Sequence, residues 1–178
     1  MTVRLETNRL MLRPLAPEDA DAYCAMMADP DFARFLTPDG APQDRAAAWR
    51  GFATLIGHWT IRGYGMFAVI EKDTGAVVGR VGPWMPEGWP GLEAGWGIAP
   101  GRWGRGYAPE AAIAAIRWTF ERFPELDRII SLIDPRNENS QAVARKIGEA
   151  NTGETFRFWG LSLDIWAAGR AGWLARFG

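Results

Sequence analysis

The stretch Gly101-Arg102-Trp103-Gly104-Arg105-Gly106-Tyr107-Ala108 constrains this chain more than any other. It follows a short apolar run, Leu92 to Ile98, that reads as a strand, and it precedes a helical segment opening at Pro109. Gly104 and Gly106 let the backbone curl tightly with its N–H groups turned inward. The loop then feeds a helix N-terminus, where unpaired N–H groups and the macrodipole both favour an anion. Arg102 and Arg105 add fixed positive charge. A strand, a glycine-arginine loop and a helix in that order make a site for a phosphorylated ligand.

Three well-known glycine motifs are excluded by what is missing. A P-loop closes on Gly-Lys-Ser/Thr, with the lysine on the outer phosphates and the hydroxyl on magnesium. Here Gly106 is followed by Tyr107. A dinucleotide fingerprint needs a third small residue, yet Gly104-x-Gly106 runs into Pro109 and Gly95-x-Gly97 into Pro100. A kinase glycine loop belongs to a longer chain with catalytic motifs absent here. What remains is a loop that grips a pyrophosphate by its backbone amides.

The surrounding elements fit a mixed sheet. Arg9 to Pro14 reads as a strand, and Pro17-Glu18-Asp19 opens a helix to about Ala28. Asp29 to Pro42 is turn-rich. A longer helix from Asp44 toward Ile61 puts Trp49, Phe52, Ile56 and Trp59 on one apolar face. Met66 to Glu71 and Ala76 to Val81 form a hairpin around Asp73-Thr74-Gly75. Pro83 to Gly91 is a loop. After the glycine loop, Ile113, Ile116, Phe120 and Phe123 make a buried helical stripe that Pro124 ends. Arg128 to Ile133 is a strand, Ser140 to Ile147 a short helix stopped by Gly148, and Phe156 to Trp159 with Leu161 to Trp166 a closing strand pair.

A chain of 178 residues suits one domain, 1–178, with a sizeable core. Twenty Lys and Arg against 21 Asp and Glu leave no global field to draw in nucleic acid or an anionic membrane. Met1 to Glu6 lacks the apolar core of a signal peptide, and no run reaches the ~20 apolar residues of a membrane span. The expected setting is cytoplasmic. The single cysteine, Cys24, excludes an internal disulfide and reads as helix packing; no metal-ligand cluster is visible. The one histidine, His58, reads as structural or exposed.

The stretch Trp103 to Ala111, Trp-Gly-Arg-Gly-Tyr-Ala-Pro-Glu-Ala, resembles motif A of the GNAT superfamily of acyl-CoA-dependent N-acetyltransferases. Downstream, Asn137-Glu138-Asn139-Ser140 and Lys146-Ile147-Gly148 resemble the family's N-x-x-S…K-x-G segment. Asn8-Arg9-Leu10, Gly63-Tyr64-Gly65 and Gly79-Arg80-Val81-Gly82 are similar to the RimJ/RimL-type branch. The resemblance spans Leu5 to Trp166. It implies an α/β fold with a GNAT-type mixed, mostly antiparallel central sheet flanked by helices and splayed at the acyl-CoA site. It also implies acetyl-CoA as co-substrate and a primary amine as acceptor, either a protein N-terminal α-amine or a small molecule. A homodimer is compatible with it. The loop residues Arg102, Trp103, Gly104, Arg105, Gly106, Tyr107 and Ala108 then hold the pyrophosphate. Gly97, Ile98, Asn137, Ser140 and Lys146 lie along the pantetheine arm. Two departures stand out: Gly101 occupies the loop's first position, where the family writes Gln or Arg, and Glu149 follows Gly148, where an aromatic residue is common.

Attack of an amine on a thioester passes through a tetrahedral intermediate with an oxyanion and a thiolate leaving group. The site must orient the amine, offer N–H donors, accept a proton and return one to sulfur. Glu93 alternates with Gly95 and Gly97 on one strand face and is the candidate base, the rival reading being a salt-bridged strand glutamate. No tyrosine follows Tyr107, so Ser140 becomes the candidate acid by family position, the rival being a helix cap. Trp84 and Trp89, in the loop beside the reacting end, are expected to wall the acceptor pocket and hold a cationic amine by cation–π contact. A non-catalytic acyl-CoA-binding module of the same fold is the alternative reading.

Overall fold

The computed structural model describes residues 3–178, so Met1 and Thr2 of the N-terminal stretch lie outside it. The first half contains β1 (Leu5–Glu6), β2 (Leu10–Pro14), a 3-10 turn (Pro17–Asp19), α1 (Ala20–Met27), α2 (Pro30–Ala33) and α3 (Arg45–Arg62). Then come β3 (Phe67–Glu71), β4 (Val77–Trp84), β5 (Glu93–Ile98) and α4 (Tyr107–Arg122). The chain closes with β6 (Arg128–Ile133), α5 (Glu138–Lys146), β7 (Ala150–Phe158), β8 (Leu161–Gly169) and α6 (Arg170–Phe177). The eight strands make one open sheet in the order β1-β2-β3-β4-β5-β6-β8-β7. Every neighbouring pair is antiparallel except β5 and β6, which are parallel and share a single register pair, Glu93 with Ile130.

Strand alternation divides the core between the two faces. Phe67, Val69, Val81, Ala94 and Ile98 pack with Ala111, Ile116 and Phe120 of α4. The intervening Ala68 and Ile70, with Met66, pack against Tyr23, Phe52 and Leu55 from α1 and α3. The glycine loop therefore leaves the sheet between two helical layers, at the end of β5.

Several boundaries differ from expectation for identifiable reasons. Helix α3 starts after Asp44, whose carboxylate accepts the Ala47 N–H at 2.7 Å, and ends at Gly63 with φ +73°. Its buried face is Ala48, Phe52, Leu55 and His58, so the expected stripe is turned by one position and Trp49 is left 53% exposed. Helix α4 begins at Tyr107, two residues before Pro109, because Gly106 at φ +78° serves as its N-cap. The unexpected α6 folds back under the sheet. There Trp173 is buried and donates its indole N–H to the Ile147 carbonyl at 2.8 Å. Among the described residues no helix is long and apolar enough to cross a membrane.

Candidate active site

The loop leaving β5 is built as a set of aimed backbone donors. Pro100–Arg102 forms one 3-10 turn, then Gly104 and Gly106 adopt φ +73° and +78°. These left-handed values reverse the chain twice within three residues, which a side chain-bearing residue resists. Within the described chain the N–H groups of Gly104, Gly106, Tyr107 and Ala108 meet no acceptor, and no side chain caps α4. Four donors at a helix N-terminus fit a diphosphate. The cleft below them, about 380 Å³, is also lined by Ile98, Val143 and Lys146.

Glu71, at the end of β3, holds this loop in shape. Its Oε1 accepts from Tyr107 Oη at 2.8 Å and from Arg102 Nε at 3.1 Å. Its Oε2 accepts from Thr74 Oγ1 at 2.7 Å and from Arg102 Nη2 at 3.1 Å. Arg105 stands 3.6 Å away. Hydrogen bonds from Thr74 and Tyr107, with the Arg102 guanidinium, hold the Glu71 carboxyl down at about 2. Arg102 and Arg105 are thus anchored in the loop rather than free, and one carboxylate offsets part of their charge. Arg9 braces the far side, donating from Nη1 to the Arg105 carbonyl at 2.8 Å and from Nε to Glu110 at 2.8 Å. The sequence gives no sign of this role for Glu71 because its loop partners Arg102 and Tyr107 are 31 and 36 residues away.

Beyond Glu93, β5 parts from β6. Ala99 N–H bonds the Val78 carbonyl across the β4 ladder. Alternation then turns the Gly97 amide toward β4 and the amides of Trp96 and Ile98 toward the open edge. Ile98 thus offers a free N–H to the cleft, Gly97 contributes its face rather than its amide, and Trp96 joins the site unforeseen. Trp103 folds over this edge, its indole N–H donating to the Ile98 carbonyl at 2.6 Å. The face carrying Gly95 and Gly97 is filled: a Cβ on Gly95 would sit 2.4 Å from Met66 Cε, and one on Gly97 3.1 Å from Phe32 Cζ.

Asn137 and Ser140 divide the two roles weighed for them. The Asn137 side chain caps α5, accepting the Ser140 N–H at 3.0 Å. The Ser140 hydroxyl instead accepts from the Trp96 indole at 3.3 Å, which leaves its own proton available to donate. Trp96, Asn137 and Ser140 line both the cleft and a second cavity of about 1080 Å³ on the other side of the splay.

Glu93, Trp84 and Trp89 all line that second cavity. The Trp89 indole donates to Glu93 Oε2 at 2.6 Å, and its ring meets Phe158 edge-on at 4.6 Å. Burial pushes the Glu93 carboxyl up to about 7, against the Trp89 hydrogen bond and the Arg80 charge. Trp84 stacks on buried His58 at 4.3 Å. His58 Nδ1 lies 2.8 Å from the Tyr64 carbonyl oxygen, and its Nε2 accepts from the Met85 N–H at 3.4 Å, so the ring braces this wall. Among the described residues no group of three or more His, Cys, Asp or Glu side chains is placed to hold a metal ion.

Behind Glu93, hydrogen-bond counting fixes a second carboxyl. Ser131 Oγ lies 2.8 Å from the Ala94 carbonyl oxygen and 2.9 Å from Glu149 Oε1. One hydroxyl proton cannot serve both. It goes to the carbonyl, so a protonated Glu149 donates to Ser131. Burial raises the Glu149 carboxyl to about 8, and its Oε2 is buried without a partner. Between its ordinary value of 4.5 and about 8 the folded chain keeps a proton that the unfolded chain has lost. Stability therefore falls as pH rises through that window, by at most about 1.4 kcal/mol per pH unit from this group. Glu149→Gln, which keeps a donor and cannot ionise, is expected to unfold at higher denaturant than the parent at pH 8 and to match it near pH 4.5. Chemical denaturation at the two pH values checks this, and equal midpoints at pH 8 would show an ionised Glu149.

The chain and its fold are similar to those of known acetyltransferases. A family model described as an acetyltransferase (GNAT) domain matches residues 9–149. An uncharacterized N-acetyltransferase of Bacillus licheniformis, p20, is 30% identical over 138 residues, covering 76% of each chain. The crystal structure of an acetyltransferase from Agrobacterium tumefaciens superposes with a TM-score of 0.81 at 34% identity, over 93% of this chain and 94% of that one. Mycobacterium smegmatis RimJ, solved with CoA-disulfide, shares the fold at a TM-score of 0.74 and 20% identity, over 96% and 88% of the two chains.

Proposed function

The chain belongs to the GNAT acetyltransferase family, and from that premise we propose that it moves an acetyl group from acetyl-CoA to a primary amine by direct attack in a ternary complex. The single observation that carries the reading is the set of unengaged N–H groups at Gly104, Gly106, Tyr107 and Ala108, on residues that line the cleft at the end of β5. These amides hold the diphosphate, with Arg102 and Arg105 kept close by Glu71. The Ile98 N–H lies along the arm that carries the thioester, and Lys146 lines the same cleft. Glu93 takes the proton of the attacking amine in the second cavity, directly or through water, while Trp89 orients it. Ser140, at the junction of the two cavities, returns a proton to the departing sulfur. Trp84 and Trp89 wall the amine.

The whole chain, 1–178, acts as one such domain in this reading, and a RimJ/RimL-like ancestry is one form of it. Purified protein mixed with acetyl-CoA and a panel of amines and peptides is expected to release free thiol with saturation in both substrates. Tight CoA binding with no turnover on any acceptor would instead support a non-catalytic binding module. No uptake of CoA in a titration would remove the reading altogether.

A further inference from the structure

Arg80 has no counterpart in the chemistry described so far. It lies in the middle of β4, opposite Ala68 on β3 and Gly97 on β5. Ala68 packs against α1 and α3, so Arg80 points to the same side of the sheet as Glu93, Gly95 and Gly97. There it lines the 1080 Å³ cavity and not the cleft beneath the loop. Among the described residues no ion pair or hydrogen bond engages it, and its Nε is buried without a partner. The side chain is half-buried: a guanidinium nitrogen shut off from water without an acceptor is costly, while the rest of the fork faces the cavity unpaired.

The other charges facing this cavity are accounted for. Asp134 is held by Arg136 at 2.6 to 2.9 Å, Glu87 pairs with Arg62, and Asp39 accepts the Ala41 N–H at 3.0 Å. Arg34 is exposed at the rim against the Phe35 ring. Glu93 is met by the Trp89 indole and by no cation within ion-pair distance. Arg80 is near enough for its charge to lower the Glu93 carboxyl, yet the two make no ion pair. The cavity therefore presents one carboxylate ready for an amine and one guanidinium ready for an oxyanion, on the same face and not paired with each other. Trp84, Trp89 and Phe158 supply apolar walls around them.

We propose that the acceptor carries an oxyanion as well as its amine, an amino-acid-type molecule whose carboxylate Arg80 grips while its amine lies at Glu93. This rests on the proposed acetyl transfer and narrows its acceptor. A guanidinium matches a carboxylate or phosphonate in a two-point fork. A polyamine would bring a further cation toward Arg80 and Arg34, and the first residue of a protein has its α-carboxyl tied up in a peptide bond.

The experiment compares the twenty free L-amino acids with their carboxamides, their aminophosphonate analogues and spermidine. Acetyl-CoA turnover and acceptor binding, the latter by tryptophan fluorescence in the absence of acetyl-CoA, are read separately. The best free amino acid is expected to exceed its amide by about 10–100-fold in kcat/KM and in affinity. Arg80→Met should bring the pair to within about threefold, and Arg80→Lys should retain part of the preference. The phosphonate arm tells a carboxylate site from a phosphate site. Amides or spermidine used as well as free amino acids by the parent protein would overturn the proposal, as would an undiminished preference in Arg80→Met. Amino-acid binding that depends on Arg80 but never leads to acetyl transfer would uphold this site and remove the transfer reading. No binding of any amino acid would overturn the site. Should Arg80→Met fail to fold, the parent panel and Arg80→Lys decide.

Discussion

Glu93→Gln is expected to lower kcat by about 10²–10⁴-fold and to remove from the kcat profile the inflection at about 7 that this carboxyl sets, leaving the rise that comes from the amine's own deprotonation. The substitution is nearly isosteric, so the Trp89 indole keeps an oxygen to donate to and the wall of the cavity stays in place. What disappears is the ability to take a proton. In the parent, burial holds this carboxyl at about 7, so its basic form is the minority at lower pH and dominates above. The rate therefore rises with pH through about 7 and levels off above it. Acceptor chemistry sets how far the variant falls. An alkyl amine with a pKa of ~10.4 gives up its proton at neutral pH at a cost of roughly 4–5 kcal/mol, whereas an α-amine near ~8 needs only about 1. An alkyl amine should therefore expose the loss of Glu93 most strongly. Steady-state thiol release across neutral pH measures both effects, and a variant with the parent's kcat and pH profile would take Glu93 out of the mechanism.

Local chemistry made half of this site legible in the sequence and long-range pairing hid the rest. The glycine loop could be read because Gly104 and Gly106 must reverse the chain just before a helix, and both have left-handed φ in the structure. Glu93 could be placed with Gly95 and Gly97 because strand alternation is local. The closing hairpin and the strand Arg128–Ile133 were visible for the same reason. Glu71, Trp96 and Arg80 were not. Glu71 ends an apolar strand like any hairpin glutamate, and only the sheet order brings it to Arg102 and Tyr107. Trp96 matters because of which edge its amide faces, a property of the ladder's phase rather than of tryptophan. Helix α6 went unread because its eight residues follow β8 directly, Gly169 ending the strand and capping the helix with no residue between them. The misplaced face of α3 has a related cause. Trp49 is apolar enough to suggest burial, yet the core takes the smaller Ala48, with Phe52.

Gly79→Ala should damage the same site from the opposite side of β5. Gly79 lies on β4 across from Ile98, and the two strands approach so closely there that an added Cβ would stand 2.4 Å from the Gly97 carbonyl oxygen and 3.1 Å from Ile98 Cα. Both atoms are backbone, so no side chain can swing away to relieve the contact, although Ile98 Cδ1 at 2.6 Å could. Relief must come from moving β5 outward, where β6 no longer holds it. That displacement carries the Ile98 amide away from the thioester arm. Overpacking of this kind costs about 1–3 kcal/mol, equivalent to a fall in Tm of roughly 2–12 °C for a domain this size. The KM for acetyl-CoA should rise with it, because stability and cofactor alignment depend on the same strand. Gly101→Ala is the matched control, since a Cβ there meets nothing within 4 Å and φ is not positive. Calorimetry with acetyl-CoA titration on both variants separates the cases. A Gly79→Ala protein as stable and as tightly bound as Gly101→Ala would mean that β5 is not fixed by its contact with β4.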